Sequence, residues 1–314
     1  MNWLKKNLVS ILLVMTFLTG VGLLIYPTFS DYWNSFHQSR AIMSYAADVS
    51  KIPSEEYEEV LEEAQAYNAR LAEQGVLWEM TEEEREAYNR ELNMAGTGVM
   101  GYLDISKIGV MLPVYHGTGE EVLQTSIGHI EGSSLPVGGE STHSIMSGHR
   151  GLPSARLFTD LDKLVPGDTW TLHILNETLT YEVDQIRIVE PYDLSDLTID
   201  EGKDYCTLVT CTPYGINTHR LLVRGHRIAN ASGEAKVVAD ALQIQPVYIA
   251  PFIAVPVLIL LVLLVLITTE IEKRAGKGRL AERYLSRQGL TLPEPEEPDA
   301  DILEAVARGW RRRR

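Results

Sequence analysis

Two stretches of this chain carry no charged side chain and are long enough to cross a bilayer: Leu8 to Tyr26 and Val247 to Thr269. As a helix the first extends about 29 Å, close to one hydrocarbon thickness. A segment held in lipid must satisfy its own backbone, which leaves helix as its conformation. Lys5 and Lys6 before the first stretch would also suit a cleavable signal peptide. However, Pro27-Thr28-Phe29-Ser30 follows without a small-x-small cleavage site, so an uncleaved anchor is expected over residues 7–26. Pro251 and Pro256 interrupt the first half of the second stretch, and Val257 to Ile267 is unbroken apolar sequence. It has no polar face, so a second span over 247–269 is expected rather than a buried core helix. Lys273, Arg274, Lys277 and Arg279 follow it, as Lys5 and Lys6 precede the first. The positive-inside rule puts residues 1–6 and 270–314 in the cytoplasm and everything between the spans outside the cell.

Residues 27–269 hold 15 basic and 34 acidic side chains, a net −19. Such a region does not suit nucleic-acid phosphates, which need clustered cations. The cations instead gather in the tail, which ends Arg311-Arg312-Arg313-Arg314 and fits a place beside anionic headgroups.

The outer region divides in two. Residues 27–95 are rich in helix formers: Glu55 to Leu61 and Glu82 to Arg85, with Ser54 and Thr81 as candidate N-caps. Between these groups, over 74–80, lies a break holding Leu77, Trp78 and Met80. From Gly96 the pattern changes to short β-rich runs between glycines and prolines: Val99–Ile105, Val110–Tyr115, His143–Ser147, Thr169–Leu175, Thr178–Val189, Tyr205–Cys211 and His219–Ile228. Many short strands with turns predict a mainly β domain over 96–230, a barrel or a sandwich. Residues 231–246 read as a linker to the second span. A short helix is expected over Ile302–Trp310.

The chain has two cysteines, Cys206 and Cys211. On one strand they would lie about 16 Å apart, beyond disulfide range, and on opposite faces. His219 and His226 have no spacing that makes a zinc site with them. Two readings of Cys211 stand on the residues alone: a buried structural cysteine, or a nucleophile at the end of a strand. Cys206 reads as structural. Thr212-Pro213-Tyr214-Gly215 turns the chain back, which brings Arg220 near Cys211. A cation beside a thiol favours the thiolate and can hold a developing oxyanion. A general acid is also needed. Of the eight histidines, His149 has the best setting, because Gly148-His149-Arg150-Gly151 follows a strand as a rim loop.

Thr207-Leu208-Val209-Thr210-Cys211 with Arg220 resembles the sortase signature TLxTC…R. Residues 147–168, SGHRGLPSARLFTDLDKLVPGD, are similar to the histidine segment of sortases, and residues 101–143 to the pilin-polymerising class C. The two-span layout also matches that class. The resemblance covers Gly96 to Ile228 and implies an eight-stranded β-barrel with an N-terminal helical and lid region and two flanking transmembrane helices. It implies a cysteine transpeptidase on the outer face of a Gram-positive membrane. By position, Cys211 is its nucleophile, His149 its general acid and base, and Arg220 the cation that positions substrate. Such enzymes cut an LPxTG-like signal between Thr and Gly and pass the acyl group to a lysine of a pilin subunit; the alternative acceptor is cell-wall peptidoglycan. A catalytically inert, membrane-tethered binding domain is the remote alternative. No cofactor or metal is expected. Class C lids carry Asp-Pro-aromatic, where this chain has Trp78-Glu79-Met80. The expected lid would pack Trp78 or Met80 over Cys211 and bring Glu79 to Arg220.

Overall fold

The computed structural model describes residues 2–94 and 96–230, together with positions 259, 283–285 and 287. The expected linker, second span and terminal helix therefore lie almost wholly outside the described residues. The chain divides into two units, Met1–Pro251 and Phe252–Arg314; the strands and the helices that precede them all belong to the first.

Three helices precede the β domain: α1 (Asn2–Val49), α2 (Ser54–Gln74) and α3 (Glu82–Arg90). Among the described residues α1 is the one helix long and apolar enough to cross a membrane. It runs without interruption through Pro27, so the charge-free stretch and the helical sequence that follows it are one element rather than two. Thr81 caps α3 as expected. Its hydroxyl accepts from Glu84 N–H while the Glu84 carboxylate accepts from Thr81 N–H, which satisfies two orphan donors at once. Ser54 does not cap α2. The helix begins at Ser54 itself, behind Pro53, with no side-chain cap, because proline already fixes an extended entry without offering an oxygen.

Eight strands close into a barrel: β1 (Val99–Ile105), β2 (Val110–His116), β3 (Ile127–His129), β4 (Thr142–Gly148), β5 (Thr169–Ile174), β6 (Glu177–Val189), β7 (Asp204–Thr212) and β8 (His219–Ile228). A four-residue helix, α4 (Glu120–Leu123), lies between β2 and β3. The order around the barrel is β1-β2-β3-β4-β7-β8-β6-β5. Two neighbours, β2–β3 and β4–β7, run parallel. The β5–β6 hairpin turns at Leu175-Asn176, one residue earlier than the gap between the expected runs Thr169–Leu175 and Thr178–Val189: Ile174 pairs with Glu177, and Leu175 takes a positive φ of 53°.

The barrel interior is filled by Leu103, Ile105, Ile127, Leu172, Trp170, Tyr181, Leu208 and Val223, with Phe158 and Leu161 from the loop after β4. Trp170 stacks on Tyr181 at 6.2 Å between centroids. Gly225 permits this arrangement, since a Cβ there would lie 2.7 Å from the Trp170 ring.

The helices are fastened from outside. Tyr45 of α1 donates to Met100 O (2.8 Å) and accepts from Leu175 N–H (2.7 Å), which ties α1 to β1 and to the β5–β6 hairpin. Asn68 of α2 pairs with both backbone groups of buried Leu135. Tyr88 of α3 is fully buried and bonds the His129 ring at Nδ1 (2.9 Å), while His129 Nε2 is 2.8 Å from Ser134 O. One ring nitrogen meets a hydroxyl and the other a carbonyl, an arrangement made for neutral imidazole. Burial lowers the His129 pKa from its ordinary value to about 4. The unfolded chain therefore binds the extra proton first. The stabilisation is complete above about pH 6.5 and is lost as pH falls toward 4, a difference of up to about 3 kcal/mol. The difference in urea midpoint between pH 7 and pH 4.5 is expected to shrink in His129→Gln relative to the unaltered chain.

Candidate active site

Cys211 is the last residue but one of β7, and the residue opposite it on β8 is Arg220. Directly opposed residues of an antiparallel pair present their side chains on one face, with Cβ atoms about 5 Å apart. On the other side β7 runs parallel to β4 with a constant offset of 62 residues, from Thr142 beside Asp204 to Ser147 beside Val209. One step further, Thr210 Oγ1 donates to Gly148 O at 2.7 Å. His149 follows directly, the first residue after β4. Cys211 and Arg220 thus oppose each other at the end of β7, His149 lies just past the end of the neighbouring β4, and all three are partly exposed.

Alternation along β7 separates the two cysteines. Cys206 and Leu208 point into the main core, and Val209 points outward to a second apolar cluster with Ile145, Leu197 and Leu222. Cys211, two residues beyond Val209, continues that outer face. Cys206 is fully buried, and burial pushes its thiol well above the ordinary range. Neither cysteine is in a disulfide. The expectation of a structural Cys206 holds for the reason given in the sequence: an odd offset on a strand.

The outer cluster is itself buried: Ile145, Leu197, Val209 and Leu222 are at most 7% exposed, and the partly buried Ile130 and Val189 pack against them. Arg220 directs its guanidinium to the carbonyls of Asn217 (3.4 Å) and His219 (3.2 Å). Bonds to neutral carbonyls orient the group without neutralising its charge.

Arg150, which the sequence does not single out, holds this rim together. Its side chain is only 8% exposed; it pairs with Asp162, donates to Thr212 Oγ1 at 3.4 Å and lies 5.9 Å from the Tyr214 ring centroid. It therefore joins the loop bearing His149 to the strand end bearing Cys211 and to the turn beyond. The neighbouring Gly151 has φ +77° and the Tyr214 ring 3.2 Å from where a Cβ would stand, so that turn is open only to glycine. Its neighbours in sequence, Gly-His and Gly-Leu-Pro, suggest a loop, but no pattern in them marks an arginine as a clamp. Arg150→Met is expected to lower the acylation rate about ten- to hundredfold through displacement of His149. Lysine at this position should restore part of the rate, and the substrate KM should change little; rapid-quench measurement of both constants checks this.

The 74–80 segment is fastened beside β3. Leu77 N–H bonds Gly132 O (3.0 Å), and Leu77 and Met80 pack against the main core. Gly132, at φ +78°, accommodates the Leu77 carbonyl where a Cβ would stand only 2.0 Å from it. Met80 is thus committed to the core of the helical region. Trp78 is left 40% exposed. The expected approach of Glu79 to Arg220 is not found. Glu79 forms no ion pair among the described residues, because its exposed side chain leaves from a segment anchored at Gly132, and Arg220 is turned to its own strand's carbonyls. The described residues hold no cluster of three or more His, Cys, Asp or Glu arranged for a metal.

Comparison with known proteins agrees with this architecture. The family model for the Sortase domain matches residues 103–228. The crystal structure of sortase C1 from Streptococcus agalactiae is 62% identical, covers 61% of this chain and 99% of its own, and superposes with a TM-score of 0.60. Sortase C of Clostridium perfringens, solved with the C-terminal cell wall sorting motif, is 41% identical over 61% of this chain and 99% of its own, at a TM-score of 0.53. Sortase D of Bacillus subtilis is 31% identical over 131 residues, 41% of this chain and 63% of that protein, so the chain matches somewhat less than two thirds of its length. With a closed eight-stranded barrel, a matching domain model and solved sortase C structures at this level of identity, the chain belongs to the sortase family and stands with its class C members.

Proposed function

We propose that this protein is a cysteine transpeptidase on the outer face of a Gram-positive membrane, with Cys211 as nucleophile, His149 as general acid and base, and Arg220 as the cation at the oxyanion. The observation that carries the reading is the register: Cys211 directly opposes Arg220 across β7 and β8, and His149 is the first residue past the end of β4, the parallel neighbour of β7. The Cys211 sulfur attacks the Thr–Gly carbonyl of an LPxTG-like signal. The carbonyl oxygen gains charge beside Arg220 and the amine leaves with a proton from His149, forming a thioester. An incoming lysine amine gives up a proton to His149 and displaces the sulfur, forming an isopeptide bond. Class C membership favours a pilin subunit as acceptor over peptidoglycan. Incubating the outer region with sorting-signal peptides and pilin subunits tests this. A thioester adduct on Cys211 followed by a lysine-linked product is expected, and hydrolysis alone with every lysine acceptor would overturn pilin polymerisation.

Trp78, the exposed member of the 74–80 segment, serves in this reading as a cover at the entrance to the groove. Trp78→Ala is expected to raise the rate at which a thiol reagent modifies Cys211 several-fold, since burying part of a Trp is worth on the order of 1 kcal/mol or more. An unchanged rate makes the segment a plain connection between α2 and α3.

A further inference from the structure

Helix α1 does not stop where its charge-free stretch ends. Over the turns after Tyr26 it presents aromatic side chains at 26, 29, 33 and 36, a spacing that keeps them on one face. Tyr26, Phe29, Trp33 and Phe36 are between 42% and 55% exposed. Phe29 stacks on Trp33, which meets His37 edge-on. The band is continuous with the apolar stretch in the same helix. Aromatic side chains at the end of a span belong at the boundary between lipid and water.

The same turns dock on the barrel. Asp31 accepts a hydrogen bond from Arg156 N–H (2.8 Å), and Asn34 donates to Ser154 O (2.9 Å). One turn further, Gln38 donates to Thr125 O (2.5 Å). Ser154 and Arg156 belong to the loop that begins at His149 and is closed by Phe158 N–H bonding His149 O (3.1 Å). The loop bearing His149 is therefore held to α1 five to eight residues past Tyr26. At helical rise that is about 8–12 Å beyond the apolar stretch, at the level of the headgroups or just above them.

We propose that the rim bearing His149 and Cys211 rests on the membrane surface, with the aromatic face of α1 seated in the lipid–water boundary. An acyl donor that is itself held in the membrane then reaches Cys211 from the membrane side with little loss of freedom. The proposal rests on the reading of an anchored enzyme at the outer face, and it adds the orientation of the groove.

The test uses the full-length chain in vesicles of phosphatidylcholine and phosphatidylglycerol containing headgroup-nitroxide lipid. In a Cys211→Ala background, where Cys206 is buried, a fluorophore is attached through Pro153→Cys in the His149 loop or through Glu201→Cys ahead of the start of β7. The nine residues of β7 separate these two ends of the barrel. Quenching at 153 is expected to exceed quenching at 201 several-fold, and replacing Phe29, Trp33 and Phe36 with serine should reduce it. Equal quenching at the two positions, or none at 153, would overturn the proposal, including the case in which another protein rather than lipid covers the aromatic face. Cleavage of a soluble sorting-signal peptide by the chain with Cys211 intact is measured in parallel. Loss of cleavage with normal quenching counts against the enzymatic reading alone, and normal cleavage without quenching counts against the seating alone.

Discussion

Replacing Cys211 with alanine is expected to abolish both cleavage of a sorting-signal peptide and isopeptide formation, while Cys206→Ala leaves both within a fewfold of the unaltered protein. The two residues are five apart on one strand and differ in everything that matters to a nucleophile. Cys211 is partly exposed at a rim opposite Arg220; Cys206 is sealed in the core, where burial disfavours its thiolate. The cost of Cys206→Ala should fall on stability instead, about 1–2 kcal/mol for a small buried side chain. Mass spectrometry of the protein with substrate reads the acyl adduct, and a urea titration reads the stability. An adduct on Cys206, or activity retained in folded Cys211→Ala protein, would remove the assignment.

His149→Ala and Arg220→Ala should each slow acylation by orders of magnitude with the fold intact. Proton transfer by a positioned group is worth about 10²–10⁴ in rate, and one oxyanion donor about 10²–10³. The two losses should differ in kind. Without His149 the leaving amine has no proton source, so a substrate with a better leaving group recovers rate. Without Arg220 the charge on the oxygen is uncompensated whichever group leaves, so the same substrate recovers nothing. Arg220→Lys keeps the charge and loses the planar fork, and should retain part of the rate. Single-turnover measurements with a peptide and with an activated ester distinguish these outcomes. Rates equal to the unaltered protein in either alanine variant would count against the role assigned to that residue.

Much of this arrangement is legible in the residues themselves. The β8 limits, His219–Ile228, and the β1 limits, Val99–Ile105, stand in the sequence because glycines and turn residues flank them. The odd offset of Cys206 and Cys211 separates a core thiol from a rim thiol by strand geometry alone. Other features are not legible, for physical reasons. Strand β3 has three residues, Ile127–His129, too few to show a period, and exists because β2 and β4 hold it on either side. Alternation does not disclose the parallel pairing of β4 with β7, since both directions alternate alike. Arg150 resembles an ordinary loop cation because its partners, Asp162, Thr212 and Tyr214, are remote in sequence. The fastening of residue 77 to Gly132 is hidden likewise: the glycine's role depends on what approaches it.

The parallel pairing of β4 with β7 has one more consequence. The end of β4, just before His149, and the end of β7, which bears Cys211, are brought together only by a ladder that closes a loop of about sixty residues, and contacts so remote along the chain reward the loss of chain entropy late in folding. An incompletely folded chain therefore carries its Cys211 thiol without the neighbouring strand ends that complete the proposed site. In the proposed mechanism the ability to form acyl bonds arises only when the barrel shuts. On that proposal assembly itself is the safety catch: a nascent or damaged copy, lacking the closed ladder, has no means of forming a misdirected acyl bond.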